Sequence, residues 1–318
     1  MLKKTMKKVL NKKINEWLET ITDEDVKKAI EKDLIITGGC FTSMILGEQI
    51  NDFDCYFRTK ESVLKVMQYY IDKWNEKQQS INPNQSIAKV FVLDCDNPSQ
   101  EILNYYHVDN FDAGRVKLIF PSTGVVGNPI NVNINEELGT NNIEELDEIK
   151  AEEIIEQEKT KYFPVFISSN AITLSNKIQL IARFYGEPSD IHATYDFMHT
   201  KSYYDYISGE ITIPNEVYDC TINKTLIYCG SLYPVCSMFR IRKFIARGWN
   251  INAGQILKIA LQVSDLNLTD IGVLEDQLIG VDSLYFMQLI EQFKKQKENN
   301  SEFILTRTYI ESIIDKIF

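Results

Sequence analysis

The sequence predicts an α+β fold: a mixed central sheet with flanking helices, then an all-helical C-terminal part. Three observations predict it. Short apolar runs with strand-like alternation recur up to about residue 213, interleaved with helical periodicity. From about Val217 onward only the helical period is found. The 318 residues are 44% hydrophobic and 25% charged, an ordinary globular balance with enough apolar material for a sizeable core. Length and the change of period together predict two domains, 1–220 and 221–318.

Residues 2–18 place Leu2, Met6, Val9, Leu10, Ile14, Trp17 and Leu18 on one helical face. Lys3, Lys4, Lys7, Lys8, Lys12 and Lys13 take the other face, which reads as solvated lysine on a docked helix. Thr22–Asp25 reads as the N-terminal cap of a second helix, through about Lys32. Leu34–Thr37 is a short buried strand ending in Gly38-Gly39, and Phe41–Leu46 a helical stretch closed by Gly47. Phe53, Cys55 and Phe57 alternate with Asp52, Asp54 and Tyr56, as in a strand. A helix is expected over 61–77, then strands at 88–94, 115–120, 162–168 and 178–181. Residues 136–158 hold ten acids against Lys150 alone and read as an exposed acidic helix. Tyr195–Ile213 reads as a β-hairpin with Ser208-Gly209 at its turn. Helices follow at 220–229, 234–247, 253–262, 270–276, 281–295 and 305–317.

Composition excludes several classes. No apolar run approaches the roughly 18 residues of a membrane span. The N-terminus lacks the apolar core of a signal peptide. Six cysteines without a CxxC pair argue against a disulfide framework or zinc ribbon, and for a reducing compartment. The expected location is cytoplasmic, the host cytoplasm if a phage encodes the chain. A net charge of −11 disfavours non-specific duplex binding.

One segment carries chemistry. A strand stops at Gly38 and Gly39, where backbone approaches a ligand with no Cβ in the way, and a helix starts there. Such a turn suits a triphosphate, with Thr42 and Ser43 as added hydroxyl donors. Asp52 and Asp54, two apart on the next strand, share a face about 7 Å apart along the backbone, while Phe53 and Cys55 point the other way. Two carboxylates beside a phosphate-binding turn suit Mg²⁺, which takes one or two carboxylates plus phosphate oxygens and water. Two such ions clamp the attacking and leaving oxygens of a phosphoryl displacement.

The order strand, GG, helix, LG, DxD resembles the head-domain signature of the DNA-polymerase-β-type nucleotidyltransferase superfamily. Its nearest branch is that of poly(A) polymerases and class II CCA-adding enzymes. Residues 30–57 carry the resemblance well and 190–250 loosely. A third motif of that branch, a strand with an aspartate, is matched by Ile191–His199, which places Asp196 as the third carboxylate. The Arg-rich neck pattern is matched by Arg240, Arg242, Lys243, Phe244, Arg247 and Gly248. The resemblance implies a nucleotidyltransferase head with an insertion over about 60–160 and a helical neck and tail.

It further implies Asp52, Asp54 and Asp196 as catalytic residues and ligands of Mg²⁺, two ions in number, with an NTP as substrate. Gly38, Gly39, Thr42, Ser43, Arg183, Arg240, Lys243 and Arg247 are then the nucleotide-binding residues. The expected reaction moves a nucleoside monophosphate from the NTP to an acceptor hydroxyl on an RNA 3′ end, a small molecule or a protein, and releases pyrophosphate. The branch's paired arginines are replaced by Thr194 and Tyr195, and its base-selecting acids are missing from 233–238. That departure motivates a second reading, a catalytically silent binding or structural module of a phage-like protein.

Overall fold

The computed structural model describes residues 2–81, 89–99, 113–119 and 162–278. The acidic stretch 136–158 and the expected helices at 281–295 and 305–317 lie outside them. The chain divides into two compact units. Among the described residues the first holds 2–119, 162–195 and 199–223, and the second holds 196–198 and 224–278.

The first unit opens with helix α1 (Lys3–Leu18), whose buried stripe is Met6, Leu10, Ile14, Trp17 and Leu18. Helix α2 (Glu24–Asp33) is capped by Asp23, whose carboxylate accepts from the backbone N–H groups of Asp25 and Val26 at 2.8 and 3.1 Å. Then come β1 (Leu34–Thr37), α3 (Gly39–Leu46), β2 (Phe53–Phe57) and the long α4 (Lys60–Ile81). Gly47 ends α3 in the left-handed conformation, φ 71°. Strands β3 (Phe91–Asp94) and β4 (Val116–Ile119) form a separate antiparallel pair. Strands β5 (Pro164–Ile167), β6 (Ala171–Leu174) and β7 (Ile178–Ile181) are followed by helix α5 (Pro188–Ala193), strands β8 (Tyr203–Asp205) and β9 (Glu210–Thr212), and helix α6 (Asn215–Ile222).

Seven strands make one mixed sheet in the order β5-β6-β7-β2-β1-β8-β9. The β2–β7 pair is parallel, and β1 pairs antiparallel with both β2 and β8. One face is apolar: Leu34, Ile36, Phe53, Cys55, Phe57, Ile178, Leu180 and Tyr204 are all buried. Helix α1 packs on this face, with the Tyr204 hydroxyl 2.5 Å from Asn11 Oδ1. The Trp17 indole N–H in turn donates to the Tyr70 hydroxyl of α4 at 2.6 Å. At one end of the opposite face, Ile191 of α5 closes over Ile35 and Tyr56, with Phe184, Tyr195 and Tyr203 around them.

Two expectations are corrected. Residues 195–202 are not strand. Pro188 starts α5, and Glu187 and Asp190 bond reciprocally across its first turn. A 3₁₀ turn (Met198–Thr200) follows, so the hairpin is only β8–β9, with Ser208-Gly209 at its turn. The C-terminal part is not wholly helical either. Helix α6 ends at Ile222, and β10 (Thr225–Leu226) pairs parallel with β11 (Asn250–Ile251). Strand β6 is an addition to the expected set.

In the second unit, Asn250 lies between α7 (Pro234–Ala246) and α8 (Ala253–Ser264), and α9 (Ile271–Leu278) closes the described part. Phe197, fully buried, stacks edge-on with Tyr228 and Phe244 at centroid distances of 5.8 and 5.5 Å. Among the described residues no helix is long and apolar enough to cross a membrane.

Candidate functional site

The site is built where β1 ends and α3 begins. Gly38 holds φ +88°, and a Cβ on it would lie 2.0 Å from Asp54 Oδ2. Only glycine lets the Asp54 carboxylate rest against this turn. Gly39 is different: a Cβ there meets nothing within 4 Å. Helix α3 starts at this turn, and its N-cap residue, Gly38, offers no side chain to its first backbone N–H groups. Asp52 stands just before β2 and is half-buried. Burial, and then the charges of Asp54 and Asp52, push the Cys40 thiol well above its usual range. The loop before β2 is held from β7's side: Lys177 Nζ donates to the Ile50 carbonyl at 2.9 Å, and the Phe53 N–H to the Lys177 carbonyl at 2.7 Å.

The sheet register sets the neighbours of Asp54. It is opposite Thr37 on β1 and Gln179 on β7, and Gln179 is opposite Thr173 on β6. Thr37 is opposite Tyr203. A polar row thus crosses one face of an otherwise apolar sheet. At its Thr37 end the protons are accounted for. Thr37 gives its single hydroxyl proton to the Ser202 carbonyl at 2.7 Å. The His192 Nε2 atom, 2.8 Å away, is therefore the donor in their bond. Burial, and then the charge of Lys201, lowers the His192 pKa to about 4, so the ring is neutral at pH 7. Burial, and then the charges of Tyr56 and Asp54, raise the Tyr195 hydroxyl well above its usual range, and it bonds to Tyr56 and Thr37.

The remaining expected residues fall elsewhere. The Thr42 hydroxyl donates to the His199 carbonyl at 2.7 Å, so its proton is not spare for a phosphate. Ser43 is half-buried one residue on. Arg183 follows β7 and is buried rather than an edge charge, its guanidinium 5.7 Å from the Phe184 ring centre. Asp196 belongs to the second unit, not to the sheet. There its Oδ2 accepts from Ser237 Oγ at 3.0 Å and from Arg240 Nη1 at 2.7 Å. The expected third carboxylate and the expected phosphate-binding arginine are thus engaged with each other. Lys243 lies on α7 and Arg247 caps it. Among the described residues no group of three or more His, Cys, Asp or Glu could hold a metal ion. Asp52 and Asp54 are carboxylates of the type that Mg²⁺ takes in ones and twos alongside phosphate oxygens and water.

Sequence reading missed Thr37, Gln179 and Thr173. Each is a single polar residue in an apolar strand, Leu-Ile-Ile-Thr, Ile-Gln-Leu-Ile and Ala-Ile-Thr-Leu, and that is the signal that finds them.

A family model described as "Gabija anti-defense 2 family protein" matches residues 8–223, about two-thirds of the chain and the stretch that contains this site. The chain belongs to the Gabija anti-defense 2 family. A curated relative of that name from Bacillus phage SPbetaL7 is 22% identical over 130 residues, 40% of this chain and 32% of that protein. The matched stretch therefore spans about a third of the relative's length. The solved Thermotoga maritima CCA-adding enzyme complexed with tRNA is similar at a TM-score of 0.35 and 11% identity, over 92% of this chain and 57% of that one.

Proposed function

We propose that this member of the Gabija anti-defense 2 family counters a Gabija defence by nucleotidyl transfer. One observation carries the reading: the Asp54 carboxylate is seated on Gly38 at the start of α3, and the charges of both Asp54 and Asp52 act on Cys40 in that helix. Two carboxylates at the start of a helix suit a Mg²⁺–NTP complex, in which the metal neutralises charge on the phosphates. Asp52 and Asp54 would hold the metal, while the N–H groups of α3 receive phosphate oxygens. An acceptor hydroxyl forms a bond to the α-phosphorus as the α–β phosphoanhydride breaks. Pyrophosphate leaves, and the acceptor's proton passes to solvent. The acceptor is an RNA end, a small molecule or a protein hydroxyl.

A second reading, a module that binds without turnover, is favoured by the Asp196–Arg240 pair, which engages two of the expected reactive groups. The experiment compares phage plating on Gabija-carrying cells expressing the wild type or Asp54→Asn, with α-labelled NTPs added to extracts of the same cells. The expected outcome is restored plating and Mg²⁺-dependent labelling of one species by the wild type alone. Full restoration of plating by Asp54→Asn, with no labelling by either, would establish the binding module instead.

A further inference from the structure

Gln179 stands on the sheet face of Asp54, at the same level, one strand away. The parallel β2–β7 register pairs Asp54 with Gln179, so the two side chains leave neighbouring strands in the same direction, about 5 Å apart. Ile178 and Leu180, both 0% exposed, occupy the other face, which fixes the direction of Gln179 by alternation. Gln179 is half-buried, and among the described residues no hydrogen bond engages its carboxamide. Half-buried amides are ordinarily met by protein, water or ligand. Its neighbours in the row are Asp54 and Thr173, an acceptor and a hydroxyl.

We propose that Gln179 is a substrate-contacting residue of the Asp54 site, its amide donating to a phosphate oxygen of the bound NTP. This rests on the nucleotidyl-transfer reading above. The chemistry favours phosphate. A triphosphate offers only acceptors, and the NH₂ of a carboxamide offers two donors. Neutrality matters as well. An acid at 179 would add a like charge about 5 Å from Asp54 and repel the incoming polyanion, whereas an amide binds phosphate without opposing it. The same neutrality makes Gln179 a weaker metal ligand than Asp52 or Asp54. It therefore acts on the nucleotide rather than on the cation.

The test is calorimetric binding to the full-length protein, using Mg²⁺–ATP, the nucleoside adenosine, and Mn²⁺ alone. Wild type, Gln179→Met, Gln179→Glu and Asp54→Asn are compared, each first shown to share the wild-type melting midpoint. Gln179→Met is expected to weaken Mg²⁺–ATP about tenfold, leaving adenosine and Mn²⁺ affinity unchanged. Gln179→Glu is expected to weaken ATP further yet to tighten Mn²⁺, and Asp54→Asn to lose both. Wild-type ATP affinity in both Gln179 variants overturns the proposal. So does an equal loss for adenosine, which would place the contact on sugar or base. If the wild type binds no ATP, the nucleotidyl-transfer reading fails, and the role of Gln179 with it.

Discussion

Gly38 and Gly39 are adjacent and chemically identical, yet the fold uses only one of them for steric room. At Gly38 an added methyl meets both an unfavourable backbone region and the Asp54 carboxylate. Gly38→Ala is expected to cost about 2–4 kcal/mol in urea unfolding and to displace Asp54. Gly39→Ala, at the first position of α3 with open space around it, is expected to be neutral or to stabilise by up to about 1 kcal/mol. Similar costs for both variants would contradict the packing of Asp54 on the turn. A second residue-scale expectation concerns acid. The folded His192 pKa of about 4 lies below its unfolded value of about 6.5. Its neutral form is thus the folded form. Stability from this residue is whole above pH 6.5, declines as the pH falls towards 4, and is level below that. The slope is at most about 1.4 kcal/mol per pH unit, less where solvent screens the ring. His192→Gln, which keeps an N–H for Thr37, should flatten the dependence of melting midpoint on pH across this window. An unchanged slope would assign it to other groups.

At the scale of elements, α1 and α4 are joined by a polar bond inside an apolar layer. Trp17 is 0% exposed, and its indole N–H is satisfied by Tyr70 alone among the described contacts. Tyr70→Phe keeps the ring and strands the donor. The expected loss is about 1–3 kcal/mol in chemical denaturation. Trp17→Phe in the same background should recover part of it, because the orphaned donor is then removed. The elements that were legible in the sequence were those with a strong period or a cap: α1 by its stripe, α2 by Asp23, β1 and β2 by alternation around the glycine turn. Helix α5 was not, because its six residues include only Ile191 as a buried apolar position, too few to show a period. Its signal was Pro188 with the Glu187 and Asp190 exchange, a start without a stripe. Strand β7 was legible at 178–181 and the four-residue β6 was not, but the β2–β7 register, which a single sequence does not display, is what puts Gln179 beside Asp54.

At the scale of the whole molecule, the candidate site divides along the same line as the fold. Gly38, Asp52, Asp54 and Gln179 all belong to the first unit, whereas Asp196, Arg240, Lys243 and Arg247 belong to the second. Local pattern sufficed for Gly38, Asp52 and Asp54, since a turn and the strand after it lie close in sequence, whereas Gln179 joins them only through the β2–β7 register. It did not suffice for Asp196, whose partners Ser237 and Arg240 come some forty residues later. The family match ends at residue 223, where the first unit ends, so that residue looks like a natural place to cut. Asp196, Phe197 and Met198 make it a poor one. They lie upstream of the cut but are built into the second unit, through the Met198 N–H on the Ile227 carbonyl, the Phe197 ring on Tyr228, and the Asp196 carboxylate on Arg240. A chain ending at Asn223 would leave a large aromatic and an acid without their surroundings, midway between α5 and the β8–β9 hairpin. The segment shared with the family is thus not a detachable part, and grafting a different C-terminal segment onto it would require a matching seat for those three residues.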